Sequence, residues 1–428
     1  VDVLPAEVAR ELAGLRDQVP PEPFDRIRPL LEADFEGPLA DHFSEIEEEP
    51  LGAASLAQVH RARLASGEPV VIKVLRPTIH AVVETDLAAI DRAMRWLKLY
   101  RRISRRVDLD RLSREFARIT RLELDTKAEG RNAERFATDF KDDPRVHVPR
   151  VIWTHTAHSV LTMEDVSYIP MDDIETMRAA GISEKDVAAT FFELFMTQVF
   201  ETYFVHVDLH GGNAFIRPLP TTEEKGRPGF GPGEEAPHTE QRAFQIAFID
   251  FGMMAEVPEA FRDIARNYVV GLGTGDAHRI VQAYVDADVL LPGADLELIE
   301  HATADILRRY SNIRMEQIRE VAWSEARRFA VEYRELIYEA PFQFPVDLLF
   351  IFRAAGLLSG MTTHLDPTFS PLAAAIPIAE KFARRELGKG ADSWIAELAD
   401  LARLLYGLPR RVDTVMNKLE RGTLKVQA

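Results

Sequence analysis

The 428-residue sequence contains no cysteine. Disulfides, thiol catalysis, iron–sulfur clusters and cysteine-ligated zinc are therefore excluded. No apolar run reaches the ~18 residues that a transmembrane helix needs. The best candidate, Val346 to Met361, is interrupted by Arg353 and reads as a core helix. Positive charge is in deficit: 52 Lys and Arg face 69 Asp and Glu, a net −17. That sign suits phosphate-backbone binding poorly, so no nucleic-acid partner is expected. Internal repeats are not seen. Against these absences stand a 46% hydrophobic and a 28% charged fraction, both ordinary for a folded protein. The length suits two or three domains or one large bilobal unit.

The hydrophobic period changes along the chain. Pro5 to Ala33 reads as short amphipathic helices broken by Pro20, Pro21 and Pro23. Phe43 to Glu47, Leu56 to Ala62 and Val70 to Leu75 alternate with period two and predict three antiparallel strands. Two long helices are expected over Val82 to Tyr100 and Asp110 to Phe140, then short strands over Arg150 to Trp153 and Ser159 to Met163. From Glu184 the chain reads as helical, interrupted by β-like segments at His206 to Ile216 and Phe244 to Ile249. Pro218 to Gln241 is rich in Gly, Pro, Glu and Thr and reads as a surface insertion. The implied fold is α+β, with a small β-rich lobe followed by a large helical lobe.

Three segments carry chemistry. Phosphoryl transfer needs metal ligands bridging the phosphates, a cation on the α/β-phosphates and a carboxylate near the attacking hydroxyl. Asp208 and Asn213 lie five residues apart, the spacing of a kinase catalytic base and its metal-binding Asn, and Asp250-Phe251-Gly252 follows. Lys73 sits in Val71-Ile72-Lys73 on the third predicted strand, where a phosphate-gripping lysine belongs. Alone, each has a bland explanation: a turn, a strand end, a capping pair. Together, in kinase order and in the expected element types, they point to Lys73 and Asp208 as catalytic residues and to Asn213 and Asp250 as Mg²⁺ ligands. His206-x-Asp208-x-His210 could form a metal site if it were a strand; the blander reading is that His206 braces the loop.

In these residues the chain resembles the UbiB family of atypical protein-kinase-like proteins (the ADCK, or aarF-domain, kinases), from Leu4 to the C-terminus. The marks are Pro50-Leu51-Gly52-Ala53-Ala54-Ser55-Leu56-Ala57-Gln58-Val59-His60, Val71-Ile72-Lys73-Val74, Glu123-Leu124-Asp125 with Glu129, and the two motifs above. The resemblance implies a bilobal protein-kinase-like fold with family-specific terminal helices. It divides the chain into a helical extension (1–42), an N-lobe with inserted helices (43–165), a C-lobe (166–375) and C-terminal helices (376–428). It implies ATP or ADP and Mg²⁺ as cofactors. Gly52, Ala53, Ala54 and Ser55 stand where the kinase Gly-rich loop lies. Glu129 is implied as the ion-pair partner of Lys73, with Glu123 and Asp125, from the family's Glu-x-Asp motif, one to two helical turns before it. Met163, Glu164 and Val166 fit the hinge that would hold the adenine.

The departures are informative. Val207 replaces the arginine of His-Arg-Asp, and no Ala-Pro-Glu follows Asp250, so a phospho-controlled peptide-docking segment is not expected. Leu209 and Gly211 stand where the family usually has Pro. The family's Lys-x-Gly-Gln motif would fall just before Leu4, and its membrane hairpin after Leu419-Glu420-Arg421-Gly422; trimming of a longer chain is the simpler account. A basic segment, 95–106, interleaves Arg95, Lys98, Arg101, Arg102, Arg105 and Arg106 with Trp96, Leu97, Leu99, Tyr100 and Ile103. It suits a helix lying on anionic lipid or, blandly, a solvated helix end. The resemblance thus implies an atypical kinase-like ATPase in isoprenoid-quinone (ubiquinone-type) biosynthesis at the cytoplasmic face of a membrane, with a lipid or quinone-precursor ligand. Two alternatives stand beside it: a small-molecule phosphotransferase of the aminoglycoside or choline kinase type, and a nucleotide-gated lipid-binding scaffold without productive transfer.

Overall fold

A computed structural model describes residues 20–100, 104, 108–166, 168–220, 242–310, 333, 336, 341–343, 346–371, 374, 377, 378 and 381. Most of the expected insertion Pro218 to Gln241, the basic-segment residues Arg101, Arg102, Ile103, Arg105 and Arg106, and the C-terminal stretch from 382 lie outside the described residues.

Strand alternation builds the first lobe. In β4 (Pro69–Leu75) the side chains of Val70, Ile72 and Val74 are fully buried, so Val71 and Lys73 face the opposite side. β4 pairs antiparallel with β3 (Ala57–Leu64) and with β6 (Val160–Glu164), setting Lys73 between Val59 and Leu161. β1 (Phe43–Ile46) and β2 (Gly52–Ala53) both pair with β3, at its two ends. The buried face is covered by α1 (Phe24–Asp34), whose Phe24, Ile27 and Leu31 recur at helical spacing. The expected strand at Arg150 to Trp153 is shorter: Val151 makes one bridge to Met163, and Trp153–His155 turns into a 3₁₀ segment.

The expected helix Asp110 to Phe140 is two helices. After α2 (Ile79–Leu97), α3 (Leu109–Leu122) ends at Glu123, and α4 (Thr126–Asp139) begins after Asp125, whose carboxylate accepts from the Ala128 N–H at 2.8 Å. A capping Asp competes with helix continuation, which is why the periodicity alone missed the break. Gly130 lets α4 lie close to the 3₁₀ segment and β6: a Cβ there would meet the Trp153 ring at 2.9 Å and Leu161 Cδ1 at 3.4 Å.

The second lobe is mainly helical. Its core gathers Phe136, Phe191, Phe248 and Phe251 with residues of α5 (Ile174–Ala179), α6 (Glu184–Thr197) and α10 (Val346–Leu365). The other helices among the described residues are α7 (Glu259–Thr274), α8 (Ala277–Asp286) and α9 (Leu296–Tyr310). The β-like segment His206 to Ile216 is not one strand. β8 (Phe204–His206) pairs with β11 (Met254–Glu256), whereas β9 (Ala214–Pro218) pairs with β10 (Phe244–Phe248) in a different sheet. The loop between them, 207–213, carries Asp208. That four-stranded sheet is completed by β5 (Val146–His147) and β7 (Ile169–Pro170). Among the described residues no helix is long and apolar enough to cross a membrane.

Asp125→Ala is expected to cost about 1 kcal/mol of stability in denaturant unfolding. Asp125→Asn, which keeps the cap, should stay within about 0.5 kcal/mol of the parent.

Candidate functional site

Lys73 Nζ donates to Glu129 Oε1 at 2.7 Å and to Asp250 Oδ2 at 3.0 Å, joining residues 56 and 177 positions apart. Each partner is placed by its own element. β4 turns Lys73 away from the core. Glu129 lies on the buried face of α4 with Thr126, Gly130, Ala133 and Phe136, and its side chain is only 3% exposed. Asp250 follows β10 and is set by Phe251, which is fully buried against Phe136 and His206. The Gly252 N–H donates to Asp250 Oδ1 at 3.0 Å, and the Phe251 N–H to Glu129 Oε1 at 3.3 Å.

The loop before β9 is braced from below. His206 is fully buried; its Nε2 bonds the Asp250 carbonyl, and its Nδ1 accepts from the Asp208 N–H at 3.3 Å. Both bonds require the neutral ring, and burial holds the His206 pKa below its ordinary value. The His206 N–H donates to Gln198 Oε1 at 2.8 Å. Gln198 opens a π-helical turn, 198–202, after α6, and that widening aims its side chain inward. Asn213 Nδ2 donates to the Asp208 carbonyl at 3.1 Å, closing the five-residue loop and leaving Oδ1 as its other polar atom. His206 and His210 do not form a metal site with Asp208, because one ring faces the core. Among the described residues no cluster of three or more His, Asp or Glu could hold a metal.

A cleft of about 560 Å³ lies above these groups. Lys73, Asn213, Asp250, Gly52, Ala53, Ala54, Met163, Glu164 and Val166 line it; Ser55, Glu123, Asp125, Glu129 and Asp208 do not. Glu129 stands behind Lys73. Ser55 is exposed at the turn before β3. Asp125 caps α4 instead of facing the cleft, and its side chain is 48% exposed. Glu123 is brought inward by the helix break. In one continuous helix, positions 123 and 129 would point about 120° apart. Here a Cβ on Gly252 would lie 3.9 Å from both Glu123 Cγ and Glu129 Oε2.

Sequence reasoning missed Arg353. It extends from α10 and donates from Nη2 to Asp208 Oδ1 at 2.7 Å, while His210 Nε2 stands 3.6 Å from Oδ2. The only signal was a lone arginine inside an apolar helix. Burial would raise the Asp208 pKa, but His210 and Arg353 outweigh it and hold the carboxyl below its ordinary range. Burial likewise opposes ionisation of Asp250, yet Lys73 and the Gly252 N–H keep its pKa low. Lys73 itself is raised despite burial, by Asp250 and Glu129. Burial and Asp250 push Glu129 up to about 7 against the pull of Lys73. Glu123 is also pushed up to about 7, by burial first and then by Asp250 and Asp208. The arrangement can hold a polyanion through Lys73 and offers oxygen donors from Asn213 and Asp250, the chemistry that suits a hard divalent cation.

The family model described as ABC1 atypical kinase-like domain matches residues 14–284. The chain is 28% identical over 431 residues to the uncharacterized protein sll1770 of Synechocystis, covering 100% of this chain and 69% of that protein. It is 31% identical over 422 residues to a probable protein kinase UbiB of Xanthomonas axonopodis pv. citri, covering 95% of this chain and 71% of the relative. Rv3197 of Mycobacterium tuberculosis, solved in complex with erythromycin, is similar in fold, with a TM-score of 0.54 at 18% identity and 85% of each chain covered.

In the unfolded chain Glu123 titrates near 4.5, so between about 4.5 and about 7 the folded protein binds the extra proton. Its contribution to stability therefore falls as pH rises through that window. Glu123→Gln is expected to raise stability at pH 8 by on the order of 1 kcal/mol, discounted for partial exposure, and to change little at pH 5. Chemical unfolding of the ligand-free protein at both pH values measures this.

Proposed function

The chain belongs to the ABC1 atypical kinase-like family, and on that premise we propose that it is an atypical kinase-like ATPase that binds Mg-ATP or Mg-ADP in the cleft between its lobes. The observation that carries this reading is the meeting of Lys73, Glu129 and Asp250 at the floor of a cleft lined by the Gly52-Ala53-Ala54 segment and by Met163, Glu164 and Val166. Lys73 grips the phosphates, and Glu129 fixes its direction and keeps its charge. The β2 segment at 52–54 covers the phosphates, and the backbone from Met163 to Val166 holds the base. Asn213 and Asp250 would hold Mg²⁺, which when bound offsets phosphate charge. Asp208, with its lowered pKa, orients a hydroxyl or water better than it deprotonates one.

The same family membership supports a role in isoprenoid-quinone biosynthesis at a membrane, with a lipid-like acceptor. Local support comes from the end of α2 and the residues after it. Trp96, Leu99 and Tyr100 are 75%, 83% and 66% exposed, beside Arg95 and Lys98, which pair with Asp91 and Asp110. Interfacial aromatics with basic neighbours suit an anionic lipid surface.

Calorimetric titration of nucleotide with and without Mg²⁺ tests the first part. Asp250→Asn and Lys73→Met, checked for folding by circular dichroism, should each reduce Mg-dependent turnover by roughly 100-fold. Unchanged binding and turnover in both would overturn the assignment. For the second part, the triple change Trp96→Ser, Leu99→Ser and Tyr100→Ser should weaken cosedimentation with phosphatidylglycerol vesicles by roughly tenfold, and added salt should weaken the parent's binding.

A further inference from the structure

We propose that the helical lobe holds a second ligand site, for an uncharged lipid chain, in a cavity of about 690 Å³ between α6, α7, α8 and α10. It shares no lining residue with the interlobe cleft, so the proposal does not rest on the nucleotide reading.

The two cavities differ in chemistry more than in size. The cleft presents Lys73, Arg61, Glu164, Asp165 and Asp250 to its contents. The second cavity has no Asp, Glu, Lys, Arg or His among its described lining residues. Its walls are aromatic and aliphatic, typified by Phe195, Val199, Phe261, Ile264, Phe352 and Leu358. Its polar side chains are few, and two of them are already bonded. Thr362 Oγ1 donates to the Leu358 carbonyl at 2.9 Å, and Gln343 Nε2 donates to the Asp288 and Leu290 carbonyls at 3.0 and 3.3 Å, while the Tyr268 and Tyr284 rings pack at 5.8 Å.

Pockets for small ligands span roughly 300–1,000 Å³ and usually offer convergent polar groups that fix orientation. This one has the volume with few polar and no charged side chains among its described lining residues, so recognition rests chiefly on apolar contact, the mode that suits a hydrocarbon chain. A charged ligand would be desolvated there without a partner. Water would find few hydrogen-bond partners. Access is through the α10 side, where Phe352 is 50% exposed and Ala355 is also exposed.

The test is equilibrium dialysis of the full chain with radiolabelled geranylgeraniol, a C20 alcohol, below its solubility limit. Saturable one-site binding is expected for the parent and, within threefold, for Lys73→Met shown by circular dichroism to be folded, a change that lies in the cleft and outside this cavity. Ala355→Trp, which fills the rim from an exposed position, should bind at least tenfold more weakly with an unchanged unfolding midpoint. Ala265→Leu, deeper in the wall, should weaken binding in the same direction and covers the case in which the tryptophan variant misfolds. No saturable binding by the parent, as when a segment of the chain itself fills the space, overturns the proposal. Parent-like affinity in a folded Ala355→Trp or Ala265→Leu overturns it too.

Discussion

One ammonium group held between two carboxylates organises this protein. Lys73 reaches Glu129 and Asp250 together, and the three come from a strand, a helix and a post-strand loop. The geometry therefore depends on the sheet register, on the docking of α4 and on the burial of Phe251. The set carries one more negative charge than positive, and Glu123 stands close by. Burial first, and then the neighbouring acids, hold the pKa values of Glu123 and Glu129 up. A divalent cation at Asn213 and Asp250 would offset it. Loss of the lysine would leave the buried Glu129 carboxylate without its cationic partner, which costs far more than an exposed ion pair contributes.

Asp208 lives in a different environment a short distance away. Its carboxylate is held by Arg353 from a helix 145 positions later, and its loop is braced by His206 and Gln198. A carboxylate so stabilised is a weak base and a firm hydrogen-bond acceptor. The neutral His206 links the Asp208 N–H to the Asp250 carbonyl, so the two acids are tied through one buried ring. The π-helical turn at 198–202 is the backbone device that supplies Gln198 to this network.

Much of the first lobe was legible because alternation is local. The strands around Phe43, Val59 and Ile72 form as the period-two pattern predicts, and the same alternation turns Lys73 away from the core. The split between α3 and α4 was not legible. Glu123, Leu124 and Asp125 all fit a continuous helix, and only the capping bond to Ala128 shows that the chain stops and restarts. That break separates two residues of one motif: Glu123 goes inward and Asp125 becomes a cap. The β-like run at His206 to Ile216 likewise hid a loop, because its two ends pair with different sheets.

By itself the sequence determined the local periods, the five-residue interval from Asp208 to Asn213, the lysine on its strand and the kinase-like order of the motifs. Those features are set by backbone geometry within a few residues, and the chain carries them directly. Tertiary structure alone decided that Glu123 but not Asp125 stands near Asp250, that Arg353 holds Asp208, and that four helices line a second cavity with no charged side chain among its described lining residues. Those facts depend on how elements far apart in the chain dock, and side-chain pairing across such distances is governed by packing and burial, which local patterns do not encode.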